Sequence, residues 1–178
     1  LDGNGASVVS SDGKKTIVQM GSGYRGDLWL ARSGKGKVVN VTPADYRYFA
    51  IKVGFKSQLV PGKNKPNGCI KLEIFDDGIK KIGPEYFGTG GDANNRYEIL
   101  GASEISTTEP NVLYYDLQSK YKTVTPTDWN QVFDLAQCKF VIADFPETAQ
   151  TYDLYWIRSF KSIEELQAFV DSENNTNE

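Results

Sequence analysis

An aromatic strand that runs directly into a helix constrains the fold of this chain most. Residues 151–160 are rich in aromatic side chains, a composition typical of β-strands, and a helical pattern follows at once. Ser162 is suited to cap that helix, Glu165 stands three residues later, and apolar side chains then recur at helical spacing. The pattern predicts a closing strand followed by a helix over residues 162–170.

The rest of the chain is divided into short runs with strand character, separated by clusters of Gly, Pro, Asn and Asp. The predicted strands cover residues 16–20, 27–31, 46–55, 69–75, 97–100, 112–117, 139–144 and 152–160. Eight strands and a single helix predict an all-β fold, an antiparallel β-sandwich of jelly-roll type with a short C-terminal helix. We expect one domain over residues 14–170, a leader or linker over 1–13, and a disordered tail over 171–178.

Alternation within the strands assigns their two faces. In the run 46–55, every second residue from Phe49 to Phe55 is apolar and should face the core. The alternating set Tyr46, Tyr48, Ala50 and Lys52 should face outward. The same argument predicts a core of Val18, Leu28, Leu30, Phe49, Ile51, Val53, Leu72, Ile74, Leu113, Leu117, Phe140, Ile142, Leu154 and Phe160. The outward faces carry Tyr, Lys, Glu and Asp, which suits either a polyhydroxylated ligand or an ordinary hydrated sheet surface.

Composition excludes several classes of function. The chain has no histidine, which removes histidine-dependent nucleophiles and histidine zinc sites. Its net charge of −3 argues against duplex nucleic-acid binding, and no apolar run approaches the ~20 residues that span a membrane. Cys69 and Cys138 are the only cysteines, and the sequence leaves open whether they are free thiols or a disulfide.

Three segments carry a resemblance to a known group of domains. They are the stretch VLYYDL from Val112, the stretch KFVIADF from Lys139, and the closing stretch YDLYWIRSFKSIEEL from Tyr152. In this order they resemble a β-sandwich domain of surface and secreted glycan-degrading proteins of Bacteroidetes. Similar domains accompany, or are inserted into, family 10 xylanases and act as xylan-binding modules. The resemblance implies a non-catalytic carbohydrate-binding module, secreted or on the cell surface, attached to a glycoside hydrolase.

Aromatic rings that stack on sugars, and polar side chains that bind hydroxyl groups, are the residues such a module would use. The predicted carbohydrate-binding residues are Trp29, Trp129, Tyr48, Tyr86 and Tyr114 for stacking, with Lys52, Glu73, Asn95 and Arg96 for hydrogen bonds. Trp156 shares its alternation with Leu154 and Phe160, which predicts a place in the core. No cofactor is required, although Asp27, Asp144 and Asp153 near strand ends could hold a structural calcium ion.

Two other functions are compatible with the sequence. A structural or adhesive domain could bind protein through a sheet edge or an exposed aromatic patch. A small glycoside hydrolase would need a pair of carboxylates, for which Glu73 and Asp116 are the outward-facing candidates. No pair of acids is marked by spacing or by an apolar setting, so we expect no hydrolytic activity.

Overall fold

A computed structural model describes residues 2–20, 25–32, 39–41, 45–56, 69–76, 87–88, 98–117, 133–143 and 151–175. The strands in these ranges are β1 (Asp2–Asn4), β2 (Ala6–Ser11), β3 (Thr16–Met20), β4 (Arg25–Arg32), β5 (Val39–Val41), β6 (Tyr48–Phe55), β7 (Cys69–Asp76), β8 (Phe87–Gly88), β9 (Glu98–Ile99), β10 (Asn111–Asp116), β11 (Phe133–Ala143) and β12 (Thr151–Phe160). One helix, α1 (Ile163–Asn175), follows β12.

The strands form two antiparallel sheets. The first sheet has the order β1-β4-β11-β7-β8, with β5 also paired to β11. The second sheet has the order β2-β3-β12-β6-β10-β9. The prediction of an antiparallel all-β fold with one short C-terminal helix is therefore confirmed at this level. No helix in the described ranges is long and apolar enough to cross a membrane.

The main core is an apolar cluster built from side chains of both sheets. Phe49, Ile51, Val53 and Phe55 of β6 are each at most 5% exposed, so the alternation in this strand is confirmed. Their cluster includes Phe140 of the first sheet, whose ring meets that of Tyr152 in the second sheet at 5.8 Å, edge to face. Every predicted core residue whose side chain the structure describes is buried. The side chains of Leu30, Leu72 and Ile74 fall outside that description.

The segment predicted as a leader takes part in both sheets. β1 pairs with β4 in the first sheet, and β2 pairs with β3 in the second. Gly5, which joins them, has a φ of 67°, a conformation that glycine adopts without steric cost. A Cβ at Gly26 would stand 3.0 Å from the Gly5 carbonyl oxygen, so the backbones cross closely here. Sequence alone did not indicate these strands because residues 2–11 lack an alternating apolar pattern.

A β-bulge reverses the alternation in β12. Leu154 is opposite Val53 of β6, but Trp156 is opposite Lys52, so Tyr155 is an extra residue in the ladder. Leu154 therefore faces the main core, whereas Trp156 and Phe160 face the other side of the sheet. The prediction that Trp156 shares a face with Leu154 is wrong, because alternation holds only where no residue is inserted.

Helix α1 begins at Ile163, one residue after the predicted start, and ends five residues after the predicted end. The Glu165 N–H donates to Ser162 Oγ at 3.2 Å, and the Glu165 carboxylate accepts the N–H of Lys161 at 2.7 Å. These bonds satisfy free backbone donors at the helix start. The predicted end at residue 170 differs from the observed end at Asn175. The five added residues had been assigned to a disordered tail, of which 176–178 lie outside the described residues.

The helix packs on the outer face of the second sheet and forms a second apolar cluster, the helix cluster. Ala50, Val112, Phe160 and Leu166 are buried in it. The Phe169 ring contacts those of Trp156 and Phe160 at centroid distances of 5.3 and 5.6 Å. Ala50 is 0% exposed, so this part of the face predicted to point to solvent is covered.

The register of the first sheet separates the two cysteines. Cys69 of β7 is opposite Ala143 of β11, whereas Cys138 of β11 is opposite Ile74. Five residues along a strand correspond to roughly 17 Å, and a disulfide requires Cα atoms within about 7 Å. In this fold the two thiols cannot form an intramolecular disulfide.

Candidate functional site

The predicted carbohydrate-binding residues are divided between the two sheets. Trp29 and Glu73 belong to β4 and β7 of the first sheet. Tyr48, Lys52 and Tyr114 belong to β6 and β10 of the second sheet. The remaining members lie outside the described residues: Tyr86, Asn95, Arg96 and Trp129. The described members do not form one groove; they define two separate candidate surfaces.

On the first sheet, Trp29 and Glu73 lie in one row. Lys139 of β11 is opposite Trp29 on one side and opposite Glu73 on the other. Residues in register share a face, so an aromatic position and two charged positions follow one another across three strands. Trp29 is half-buried and its ring nitrogen is buried, which leaves only part of this indole available to a ligand.

On the second sheet, the Lys52 ammonium holds the helix in place. Its Nζ donates to Glu173 Oε2 at 3.0 Å, and the same carboxylate oxygen accepts the Trp156 Nε1–H at 3.0 Å. The Lys52 side chain is mostly buried by this arrangement. Lys52 therefore anchors α1 to the sheet, and little of its side chain is accessible to a ligand.

The tyrosine strip is formed by Tyr48 and Tyr114, which pack against the helix cluster on the outer face of the second sheet, and by Tyr46, two residues before Tyr48. The rings of Tyr48 and Tyr114 meet edge to face, with centroids 6.2 Å apart. Both rings are half-buried against the helix cluster, whereas Tyr46 is 42% exposed. Burial, followed by the nearby Glu98 and Tyr48, raises the pKa of Tyr114, so its hydroxyl stays protonated and can donate a hydrogen bond.

An ion pair lies beside Tyr48 of the tyrosine strip and forms its ion-paired frame. Arg47 Nε and Nη2 donate to the two oxygens of Asp116 at 2.8 and 2.6 Å, a bidentate geometry that fixes both side chains. The Asp116 carboxylate raises the pKa of Arg47, and the guanidinium carbon stands 5.3 Å from the Tyr48 ring centroid. Glu98 of β9 is opposite Tyr114 in register. Aromatic surface and planar charged groups are thus placed side by side.

Several residues of this surface were not among the predicted carbohydrate-binding residues: Tyr46, Arg47, Glu98 and Asp116. Tyr46 precedes β6, and its exposure was predicted from its alternation with Tyr48. Asp116 lies two residues after Tyr114 in β10, on the same face, and pairs with Tyr48 in register, a neighbour relation that sequence does not reveal. Asp116 and Glu73, the acids considered for a hydrolase, lie in different sheets, and Asp116 is bound by Arg47.

The acids considered for calcium belong to different sheets where the structure describes them. Asp27 is buried in the first sheet, and Asp144 lies outside the described residues. Asp153 belongs to the second sheet, where Lys15 Nζ and Lys56 Nζ approach its carboxylate at 2.7 and 3.5 Å. Two ammonium groups repel a metal ion, so the surroundings of Asp153 do not fit one. No group of three metal-ligating side chains occurs in the part of the chain that the structure describes.

No curated protein and no solved structure matches the chain. A family described as a domain of unknown function, DUF4979, matches residues 2–166. This match covers both sheets, the tyrosine strip and the beginning of α1. The chain belongs to the DUF4979 family.

Proposed function

We propose that this protein is a non-catalytic carbohydrate-binding module that binds a β-linked plant polysaccharide, xylan first, on the outer face of its second sheet. The observation that carries the proposal is the tyrosine strip with its ion-paired frame. Sugar rings present apolar C–H faces surrounded by hydroxyl groups, and aromatic rings beside planar polar groups complement both. Tyr46 offers the most exposed ring, and Tyr114 offers a protonated hydroxyl next to Glu98.

The finer features of the proposal concern the architecture and the context of the domain. We infer that the two sheets pack face to face as a β-sandwich of jelly-roll type, which is supported by the Phe140–Tyr152 contact across the main core.

As a module of this kind, the domain is secreted or displayed at the cell surface and directs an attached glycoside hydrolase to its polymer. This mode of binding requires no cofactor. Comparing melting temperatures in EDTA and in calcium chloride tests for a structural calcium.

The proposal is tested by titrating xylohexaose into the protein by calorimetry. Replacing Tyr46 or Tyr114 by alanine should weaken binding by roughly 1–3 kcal/mol, on the scale measured for aromatic stacking on bases. Tyr155→Ala is the matched control, because this half-buried tyrosine belongs to β12 of the same sheet, where it lies beside Gly54 and the Lys52 ammonium and is not a member of the strip. It should leave the affinity unchanged.

Trp29→Ala separates the two candidate surfaces. If this variant loses affinity while both strip variants keep it, the glycan binds on the first sheet instead. If the wild-type protein binds no member of a panel of soluble plant polysaccharides in affinity electrophoresis, the carbohydrate proposal fails.

A protein-binding role is the second candidate, and one observation favours it. β2 forms one edge of the second sheet, and its neighbouring Val8 and Val9 are 43% and 60% exposed. Exposed apolar residues on an edge strand suit the addition of a strand from another protein. Retention of the protein on insoluble polysaccharide would favour the carbohydrate proposal. The double variant Val8→Ser/Val9→Ser should be retained equally well, since these residues lie outside the proposed glycan site.

A further inference from the structure

The tyrosine strip ends at an exposed cation. Lys161 Nζ stands 5.7 Å from the centroid of the Tyr46 ring, and both side chains are exposed. The position of Lys161 in the chain is well defined, because its backbone N–H donates to Glu165 at the start of α1. The ammonium group thus lies over the exposed Tyr46 ring, at the edge of the proposed site.

Lys161 differs from four cations in or beside this sheet that are bound by carboxylates. Arg47 is bound by Asp116, Lys52 by Glu173, and Lys15 and Lys56 by Asp153. Within the described ranges, no carboxylate lies within ion-pair distance of Lys161. Its charge is available to an anion that approaches the Tyr46 ring from solvent.

We infer that the ligand is an acidic β-glycan, in which a uronic acid substituent stacks on Tyr46 and directs its carboxylate to Lys161. The inference rests on the proposed carbohydrate-binding function and adds the chemical class of the substituent. A uronic acid has the same apolar ring face as a neutral sugar and one carboxylate besides. The carboxylate distinguishes it, and an ammonium group beside a stacking ring can recognise both features at once.

The test compares two soluble ligands of similar backbone length, xylohexaose and a xylo-oligosaccharide that carries one glucuronic acid. Exposed ion pairs contribute modestly, so at low salt the acidic ligand should bind about two- to five-fold more tightly. Raising the ionic strength should reduce this preference, because salt screens exposed charges. Lys161→Gln should abolish the preference and leave the affinity for xylohexaose nearly unchanged.

Arg158→Gln is the matched control. Arg158 is also exposed on this side of the sheet, but its guanidinium stands over Phe169, 4.4 Å from the ring centroid. This variant removes the same charge and should keep the preference for the acidic ligand. Equal affinity of the wild-type protein for both ligands would overturn the inference and leave the proposed function standing. A preference that persists in Lys161→Gln would also overturn the inference and leave the proposed function standing. If the wild-type protein binds neither ligand, the inference and the proposed function are both overturned.

Discussion

The main core and the helix cluster are both apolar and both rich in aromatic rings, but they connect different elements of the structure. The main core takes side chains from strands of both sheets, from Ala6 in β2 to Leu154 in β12. The helix cluster joins α1 to three strands of the second sheet. We therefore expect the main core to carry the global stability and the helix cluster to open without loss of the sheets.

The largest expected effect lies in the main core. Phe49→Ala should lower the free energy of unfolding by about 3–5 kcal/mol, because a buried aromatic ring is removed and a cavity remains. Urea unfolding followed by tryptophan fluorescence measures the change. A midpoint that barely moves would mean that Phe49 does not belong to the cooperative unit.

A change in the helix cluster should have a smaller and more local effect. Leu166 is fully buried beneath α1, and Leu166→Ala should cost about 2–3 kcal/mol. Amide hydrogen exchange should accelerate more in α1 than in β6, because the helix opens before the sheets do. Equal acceleration in both elements would show that the two clusters unfold as a single unit.

The polar anchor of the helix should contribute less. Glu173→Ala removes the acceptor of both the Lys52 and the Trp156 bonds, and we expect a loss of about 1–2 kcal/mol. Asp171→Ala is the matched control, since it removes the same charge from an exposed position in the same helix, where the carboxylate accepts a bond from Gln167. Thermal unfolding of the two variants measures the difference, and equal melting temperatures would contradict an anchoring role for Glu173.

The smallest effect is expected at the start of α1. Ser162→Ala removes the side-chain oxygen that accepts the Glu165 N–H, and loss of such a cap costs about 1 kcal/mol. Ser7→Ala, an exposed serine in β2, provides a control that should change stability little. If both variants unfold at the same urea concentration, the cap does not stabilise the docked helix.

The sequence predicted the main core well because alternation is a local signal. Burial of Phe49, Ile51 and Val53 follows from their spacing alone. The helix cluster was harder to predict, since the extra residue Tyr155 reverses the faces of β12 and the bonds to Glu173 join residues that are distant in sequence. For the candidate site, alternation placed Tyr48 and Tyr114 on one face. It could not indicate that Lys52 is bound by the helix or that Arg47 and Asp116 are paired.

The position of β12 has a consequence for how the chain acquires its structure. The last strand in chain order lies in the middle of the second sheet, between β3 and β6. Until residues 151–160 are in place, the β2–β3 hairpin and the strands β6, β10 and β9 have no ladder that joins them in the described part of this sheet. Pairings between such distant segments close long loops and slow folding. We therefore expect a slow, late step in which β12 enters the sheet and α1 docks immediately afterwards.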